Sequence, residues 1–96
     1  MQTHNLIKFL CHELAEVLAC TSSEVKVEKN CIAPRRWGRS LYCEGRALAV
    51  LVDFHAGIPR VEVEGDSRSE DLHLVQTLCE RLEGILPLPI WVWINR

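Results

Sequence analysis

The stretch of residues 47–65 has the pattern of a β-hairpin, and this feature constrains the fold more than any other in the sequence. Its first arm is almost continuously apolar up to Phe54, which is typical of a strand buried on both faces. Its second arm alternates charged residues with Val61 and Val63, which is typical of a strand with one face in water. Gly57 lies between the arms and can adopt the positive φ of a tight turn. We therefore expect the rest of the chain to pack around this hairpin.

The composition is that of one small globular domain spanning residues 1–96, with 48% hydrophobic residues, 25% charged residues and a net charge of −2. This charge does not indicate nucleic acid or a membrane surface as the partner. No apolar run approaches the roughly 20 residues of a membrane-spanning helix, and the N-terminus lacks the basic region of a signal peptide. We therefore expect a cytoplasmic protein without a membrane partner.

The cysteines and histidines do not indicate a metal site. The five cysteines are odd in number, widely spaced and free of any C-x-x-C pair. A disulfide framework favours an even number, and a zinc site favours closely spaced pairs, so we interpret them as reduced, small hydrophobic residues. The four histidines show no ligand spacing and no neighbouring nucleophile motif. We predict no catalytic residue, no metal and no cofactor.

Apolar residues at helical spacing predict two amphipathic helices. In the first, over residues 4–20, leucines recur every four residues and Glu13 lies largely off their stripe. The second begins near Ser67 and Glu70, which have the spacing of a capping box, and runs to about residue 83, where Gly84 would end it.

Shorter runs predict strands around the hairpin. Residues 24–29 and 40–44 are short strands, and residues 33–38 form a loop between them. Residues 90–94 form a last strand that is apolar on both faces. The order α-β-β-β(-β)-α-β predicts an α+β fold, with one mixed, mostly antiparallel sheet of four or five strands and two helices on one face.

The predicted loop contains a cluster of cations around one tryptophan: Arg35, Arg36, Trp37 and Arg39. Guanidinium groups bind phosphates and an indole stacks on a base, so the cluster is a candidate nucleic-acid site. Lys26, Lys29 and Arg46 would extend it. The alternative interpretation is a solvated loop whose arginines pair with acidic groups.

Three carboxylates of the hairpin form a second candidate site: Asp53, Glu62 and Glu64. If they converge across the turn, they could hold Mg²⁺. The element order, with an acid on one strand and Glu62-Val63-Glu64 on the next, resembles restriction-endonuclease-like nucleases, in which the second strand carries Glu-x-Lys. The resemblance implies a metal-dependent nuclease, active or degenerate, because the lysine is absent here. The alternative is that Asp53 ends a strand and both glutamates lie on a solvated face.

Two tryptophans in the last strand, Trp91 and Trp93, indicate the function that we expect. If the aliphatic residues of this strand pack under the helices, both indoles turn onto the sheet face that the helices leave open. Tryptophan is enriched in interface hot spots, and two-fold pairing is the simplest way to cover both rings. The alternative is that the chain's own loop, around Pro34 and Trp37, covers them.

Charge is distributed unevenly along the chain, which agrees with such pairing. Residues 26–46 contain six basic and two acidic residues, and residues 62–83 contain seven acidic and two basic ones. The basic region of one copy could therefore face the acidic region of another. We expect a non-catalytic cytosolic interaction module that forms a homodimer, or binds another protein, through Trp91 and Trp93.

Overall fold

The computed structural model describes residues 3–33, 36–55 and 57–96, without the side chains of residues 3, 30–33, 36, 37 and 55. In these ranges the helices and strands are α1 (Thr3–Leu18), β1 (Val25–Ala33), β2 (Arg36–Cys43), β3 (Ala49–His55), β4 (Ile58–Asp66), α2 (Leu72–Ile85) and β5 (Ile90–Asn95). A short 3-10 turn, Ser22–Glu24, connects α1 to β1.

The five strands form one mixed sheet whose spatial order, β1-β2-β3-β4-β5, is also their order in the chain. Neighbouring strands are antiparallel from β1 to β4, and α2 then carries the chain back so that β5 runs parallel to β4. The predicted α+β fold is therefore confirmed, with five strands rather than four. The predicted hairpin is the β3–β4 pair, and Gly57 in its turn has a positive φ of 79°.

The core lies between the helices and one face of the sheet. Leu41, Val50 and Val63 are cross-strand neighbours, so their side chains share a face, and all three are almost fully buried. Side chains of both helices belong to the same core: Leu6, Leu10, Leu14, Leu18, Val75, Leu78 and Leu82. We call this side of the sheet the helix-covered face and the opposite side the open face.

Both helices end at other residues than predicted. α1 ends at Leu18, because Ala19 has a positive φ of 56° and the amide of Cys20 donates a hydrogen bond to the carbonyl of Ala15. α2 continues past Gly84, so the predicted helix end at that glycine is wrong.

The predicted capping box of α2 is also wrong, although its N-cap, Asp71, directly follows Glu70. The helix begins at Leu72, and the proposed capping box of Ser67 and Glu70 is not its N-terminus. Ser69 Oγ instead accepts a hydrogen bond from the amide of Asp71, which holds the preceding residues in turns. The helix therefore begins only after these local side-chain hydrogen bonds.

The β1–β2 pair is longer than the sequence predicts. Arg36, Trp37 and Gly38, which the sequence assigns to a loop, lie in β2, and their backbone pairs with β1. Trp37 and Gly38 also pair with β3, so backbone partners on both sides override the local effect of the glycine. Pro34 and Arg35 lie outside the described residues.

Arg46 joins three elements at one end of the sheet. From the β2–β3 connection, its guanidinium donates hydrogen bonds of 2.6 and 2.8 Å to the two carboxylate oxygens of Asp71, at the N-terminus of α2. It also donates a longer one, 3.4 Å, to the carbonyl of Leu18 at the end of α1. Hydrogen bonds from Arg46 hold the pKa of Asp71 below its ordinary value. The cation of Arg46 lies at the C-terminus of α1 and the anion of Asp71 lies at the N-terminus of α2. These are the helix ends at which the helix dipole favours each charge.

Two further contacts fix the position of α2. Its Arg81 pairs with Glu13 of α1, with Nε and Nη2 both 2.7 Å from Glu13 Oε2, and the Glu13 side chain is only 7% exposed. At the sheet, Gly65 allows a close approach, because a Cβ at this position would lie 2.5 Å from Val75 Cγ2. The helix is therefore held from both sides.

Candidate interaction surface

The open face ends at β5 in a strip of aromatic surface. Trp91 and Trp93 lie on this face, where they are 50% and 57% exposed, and their neighbours on β4 are Glu62 and Glu64. The guanidinium of Arg60 lies over the ring of Trp91, with Cζ 4.6 Å from the ring centroid, which is the geometry of a cation–π contact. We call Arg60, Trp91 and Trp93 the tryptophan strip.

The rings of the tryptophan strip are oriented by contacts within the chain itself. The indole N–H of Trp93 donates a 3.0 Å hydrogen bond to Asn95 Oδ1, and the ring of Trp91 stacks under Arg60. Groups that are already ordered lose less entropy when a partner covers them. The strip is therefore a preformed aromatic surface with one cation stacked on it.

Two carboxylates border the tryptophan strip on the β4 side. Burial and the nearby carboxylate of Glu62 raise the pKa of Glu64 above its ordinary value. A polar rim around an apolar centre is the usual arrangement in protein–protein interfaces. The two glutamates give the strip a polar border on this side.

The helix-covered side of β5 also exposes an apolar residue. Val92 is the neighbour of the fully buried Val63, but Val92 itself is 50% exposed because β5 is an edge strand with a neighbour on one side only. Ile90 and Ile94, on the same side, are partly buried against the core. β5 therefore exposes apolar side chains on both faces.

The three carboxylates of the nuclease hypothesis share the open face. Asp53 lies opposite Arg60 in the β3–β4 register, and Glu62 and Glu64 follow Arg60 at alternate positions of β4. Asp53 is buried and the two glutamates are partly exposed. Within residues 3–33, 36–55 and 57–96, no three histidine, cysteine, aspartate or glutamate side chains are grouped so that they could hold a metal ion. Nuclease activity stays a prediction from the sequence.

The structure describes only part of the candidate nucleic-acid site. Arg35 lies outside the described residues, and of Arg36 and Trp37 only the backbone, in β2, is described. Arg39 is paired with Val52, so it lies on the helix-covered face, and it donates a 3.1 Å hydrogen bond to the backbone of its own strand.

The sequence predicts that Lys26, Lys29 and Arg46 extend the candidate nucleic-acid site. Two of these three cations form ion pairs with carboxylates. Lys26 Nζ lies 2.9 Å from a carboxylate oxygen of Glu44, and Arg46 is bound to Asp71. Lys29 is exposed. These contacts give Arg46 a role in joining helices, and nucleic-acid binding stays a prediction.

Two thiols are in contact between the segment that follows α1 and the end of β2. The Sγ atoms of Cys20 and Cys43 are 3.4 Å apart, and both cysteines are free. Burial, with added effects of Cys43 and Glu24, raises the pKa of Cys20 to about 11. The thiol is therefore protonated at neutral pH and is a poor nucleophile. This environment agrees with the interpretation of the cysteines as small hydrophobic residues.

Sequence reasoning missed two residues of the candidate interaction surface around β5, Arg60 and Val92. Arg60 has the pattern of one more charged residue on a wet strand face, and its position over Trp91 depends on the β4–β5 register, which no local pattern encodes. The sequence predicts that Val92 packs under the helices with its aliphatic neighbours. Its exposure follows from the edge position of β5, which the sequence leaves open.

Among the described residues, neither helix is long and apolar enough to cross a membrane. Comparisons of the chain with models of known protein families, with curated proteins and with solved structures found no match.

Proposed function

We propose that this protein is a non-catalytic interaction module that self-associates through the open face of its sheet. The observation that carries the proposal is the exposure of Trp91 and Trp93 side by side on that face. Tryptophan loses little side-chain entropy on binding for the area it buries, and it is enriched among the residues that dominate interface energies. A second copy of the chain is the occupant that we propose.

The size of the strip indicates how far the interface must extend. Two half-exposed indoles offer on the order of 200 Å² of apolar surface. A stable interface buries about 800 Å² on each partner. The rest of the contact area has to come from residues beside the two indoles, which Arg60, Glu62 and Glu64 border with both signs of charge.

A cytoplasmic location belongs to the same proposal. It is supported by the odd number of cysteines and by the two neighbouring free thiols of Cys20 and Cys43, which a reducing compartment would keep unbridged. Cell fractionation with an antibody to the chain tests it, and recovery from a secreted fraction would contradict it.

Analytical ultracentrifugation tests the proposed association directly. We expect the sedimentation coefficient to rise from the monomer to the dimer value between about 1 and about 200 µM protein. The double variant Trp91→Ser with Trp93→Ser should stay monomeric over this range while keeping its circular dichroism spectrum.

The matched control is Val27→Ser, which removes a 45% exposed apolar side chain from the helix-covered face of the opposite edge strand, β1, and should leave the association unchanged. A wild-type protein that remains monomeric at every concentration would contradict the proposal. So would a double variant that associates as the wild type does.

A further inference from the structure

We infer that the contact between two copies is made by β5 itself, which pairs antiparallel with β5 of a second copy in a register centred on Val92. This inference rests on the proposed self-association and specifies its geometry. The two five-stranded sheets would join into one continuous sheet, with both open faces on the same side.

The first observation is that the two edge strands of the sheet, β1 and β5, differ in how well they are protected against pairing with another chain. The exposed edge strand β1 carries Lys26, Glu28 and Lys29, and charged side chains are the usual protection against pairing with another chain. β5 spans Ile90–Asn95 and contains no charged residue and no proline. β5 is therefore the edge that is suited to pairing.

The second observation is the direction of the backbone groups along β5. The carbonyl of Asn95 accepts a 2.9 Å hydrogen bond from the amide of Ser67, at the end of β4, so it points toward β4. Backbone groups of successive residues in a strand alternate in direction. The amides and carbonyls of Val92 and Ile94 therefore point away from β4, toward the open edge.

The third observation is that the sequence of β5 is symmetric. Ile-Trp-Val-Trp-Ile reads the same in both directions about Val92. In a two-fold antiparallel pair centred there, Val92 faces Val92 of the second copy, and Ile90 faces Ile94 of the second copy. All of these residues have outward backbone groups, so each pair can exchange two hydrogen bonds. A register centred between two residues would instead pair a residue whose backbone groups point to the open edge with one whose backbone groups point toward β4.

The side chains fit this arrangement on both faces. On the open face, Trp91 lies directly opposite Trp93 of the second copy, in the non-hydrogen-bonded pairing that brings side chains closest. Four indoles then form one cluster across the two-fold axis. On the helix-covered face, the half-exposed Val92 is covered by its own equivalent. The pairing therefore covers the exposed apolar groups of both sides of β5.

A charge at the centre of β5 tests this geometry. Val92→Lys places two ammonium groups directly opposite each other, and we expect the dissociation constant to rise by at least about tenfold. The matched control is Val27→Lys, because Val27 is 45% exposed on the other edge strand and also on the helix-covered face. This variant should associate as the wild type does. Equal association of the two variants would overturn the inference.

Hydrogen exchange of the wild-type protein gives an independent test that does not depend on a variant folding. In NMR spectra recorded below and above the dissociation constant, the amides of Val92 and Ile94 should exchange at least about tenfold more slowly in the associated protein. The amides of Trp91 and Trp93, which point toward β4, should be protected in both states.

The outcomes separate this inference from the proposed function. A dimer in which the amides of Val92 and Ile94 exchange as fast as in the monomer would overturn edge pairing and leave association through the open face standing. A protein that is monomeric at all concentrations would overturn both. A dimer with the expected protection, lost in Val92→Lys, would support both.

Discussion

At the scale of single residues, Gly65 decides how closely α2 can approach the sheet. A Cβ at this position would lie 2.5 Å from Val75 Cγ2 and 3.3 Å from Ile94 Cδ1. We expect Gly65→Ala to lower the free energy of unfolding by about 1–3 kcal/mol, because the helix must shift to relieve the overlap. Chemical denaturation measures this. In the double variant Gly65→Ala with Val75→Ala, the loss of stability should be smaller than the sum of the two single losses. Strictly additive losses would contradict the steric explanation.

Gly84 provides the opposite case on the same helix. It lies inside α2, has no positive φ, and a Cβ there would meet no atom within 4 Å. Alanine loses less backbone entropy than glycine in a helix, so Gly84→Ala should raise the free energy of unfolding by roughly 0.5–1 kcal/mol. A loss of stability in urea denaturation would show that this glycine has a role that the helix geometry does not explain.

At the scale of elements, the Arg46–Asp71 pair makes stability depend on pH. The folded-state pKa of Asp71 is lowered, so the contribution of the pair is complete above the unfolded pKa, about 3.9. It is lost as the pH falls through the lower folded value. Arg46→Met should therefore cost about 1–2 kcal/mol at pH 7 and clearly less near pH 2. Denaturation curves at the two pH values check this, and equal losses would contradict it.

The second inter-element contact, Glu13–Arg81, is asymmetric because only the carboxylate is well buried. Arg81→Met leaves that charge without its partner, and we expect a loss of about 2–3 kcal/mol. Glu13→Gln, which still accepts a hydrogen bond, should cost less. The double variant Glu13→Leu with Arg81→Met should be more stable than Arg81→Met alone, as measured by urea denaturation. A double variant that is less stable would contradict this account.

The elements also show what local pattern can and cannot predict. Both helices and the second arm of the hairpin follow from apolar periodicity, because one buried face imposes its period on the sequence, whereas the first arm and the last strand follow from continuous apolar runs. The burial of Glu13, which the pattern places largely off the apolar stripe, depends on α2 packing beside α1 with Arg81 in reach. The outward turn of Trp91 and Trp93 follows from the sequence, but the cation over Trp91 requires the register between strands that are distant in the chain.

At the scale of the whole molecule, the order of the strands in the sheet is their order in the chain. The pairings from β1 to β4 join consecutive strands through short connections, whereas the β4–β5 pairing must close a loop that contains all of α2. Closing the longer loop costs more chain entropy before its contacts form.

We expect Ile94→Ala to speed unfolding with little change in the folding rate, as stopped-flow kinetics would show. A folding rate that falls in proportion to the stability loss would contradict this.

The late pairing of β5 that this topology predicts has a consequence for refolding at high concentration. Until α2 brings β5 into place, the free edge belongs to β4, whose inner face is the apolar Val61 and Val63. A strand from another unfolded chain can then occupy the position of β5, which is a route to domain exchange or aggregation. The yield of native protein should therefore fall as the chain concentration during refolding rises, and Ile90–Asn95 supplied as a free peptide should compete for the same edge.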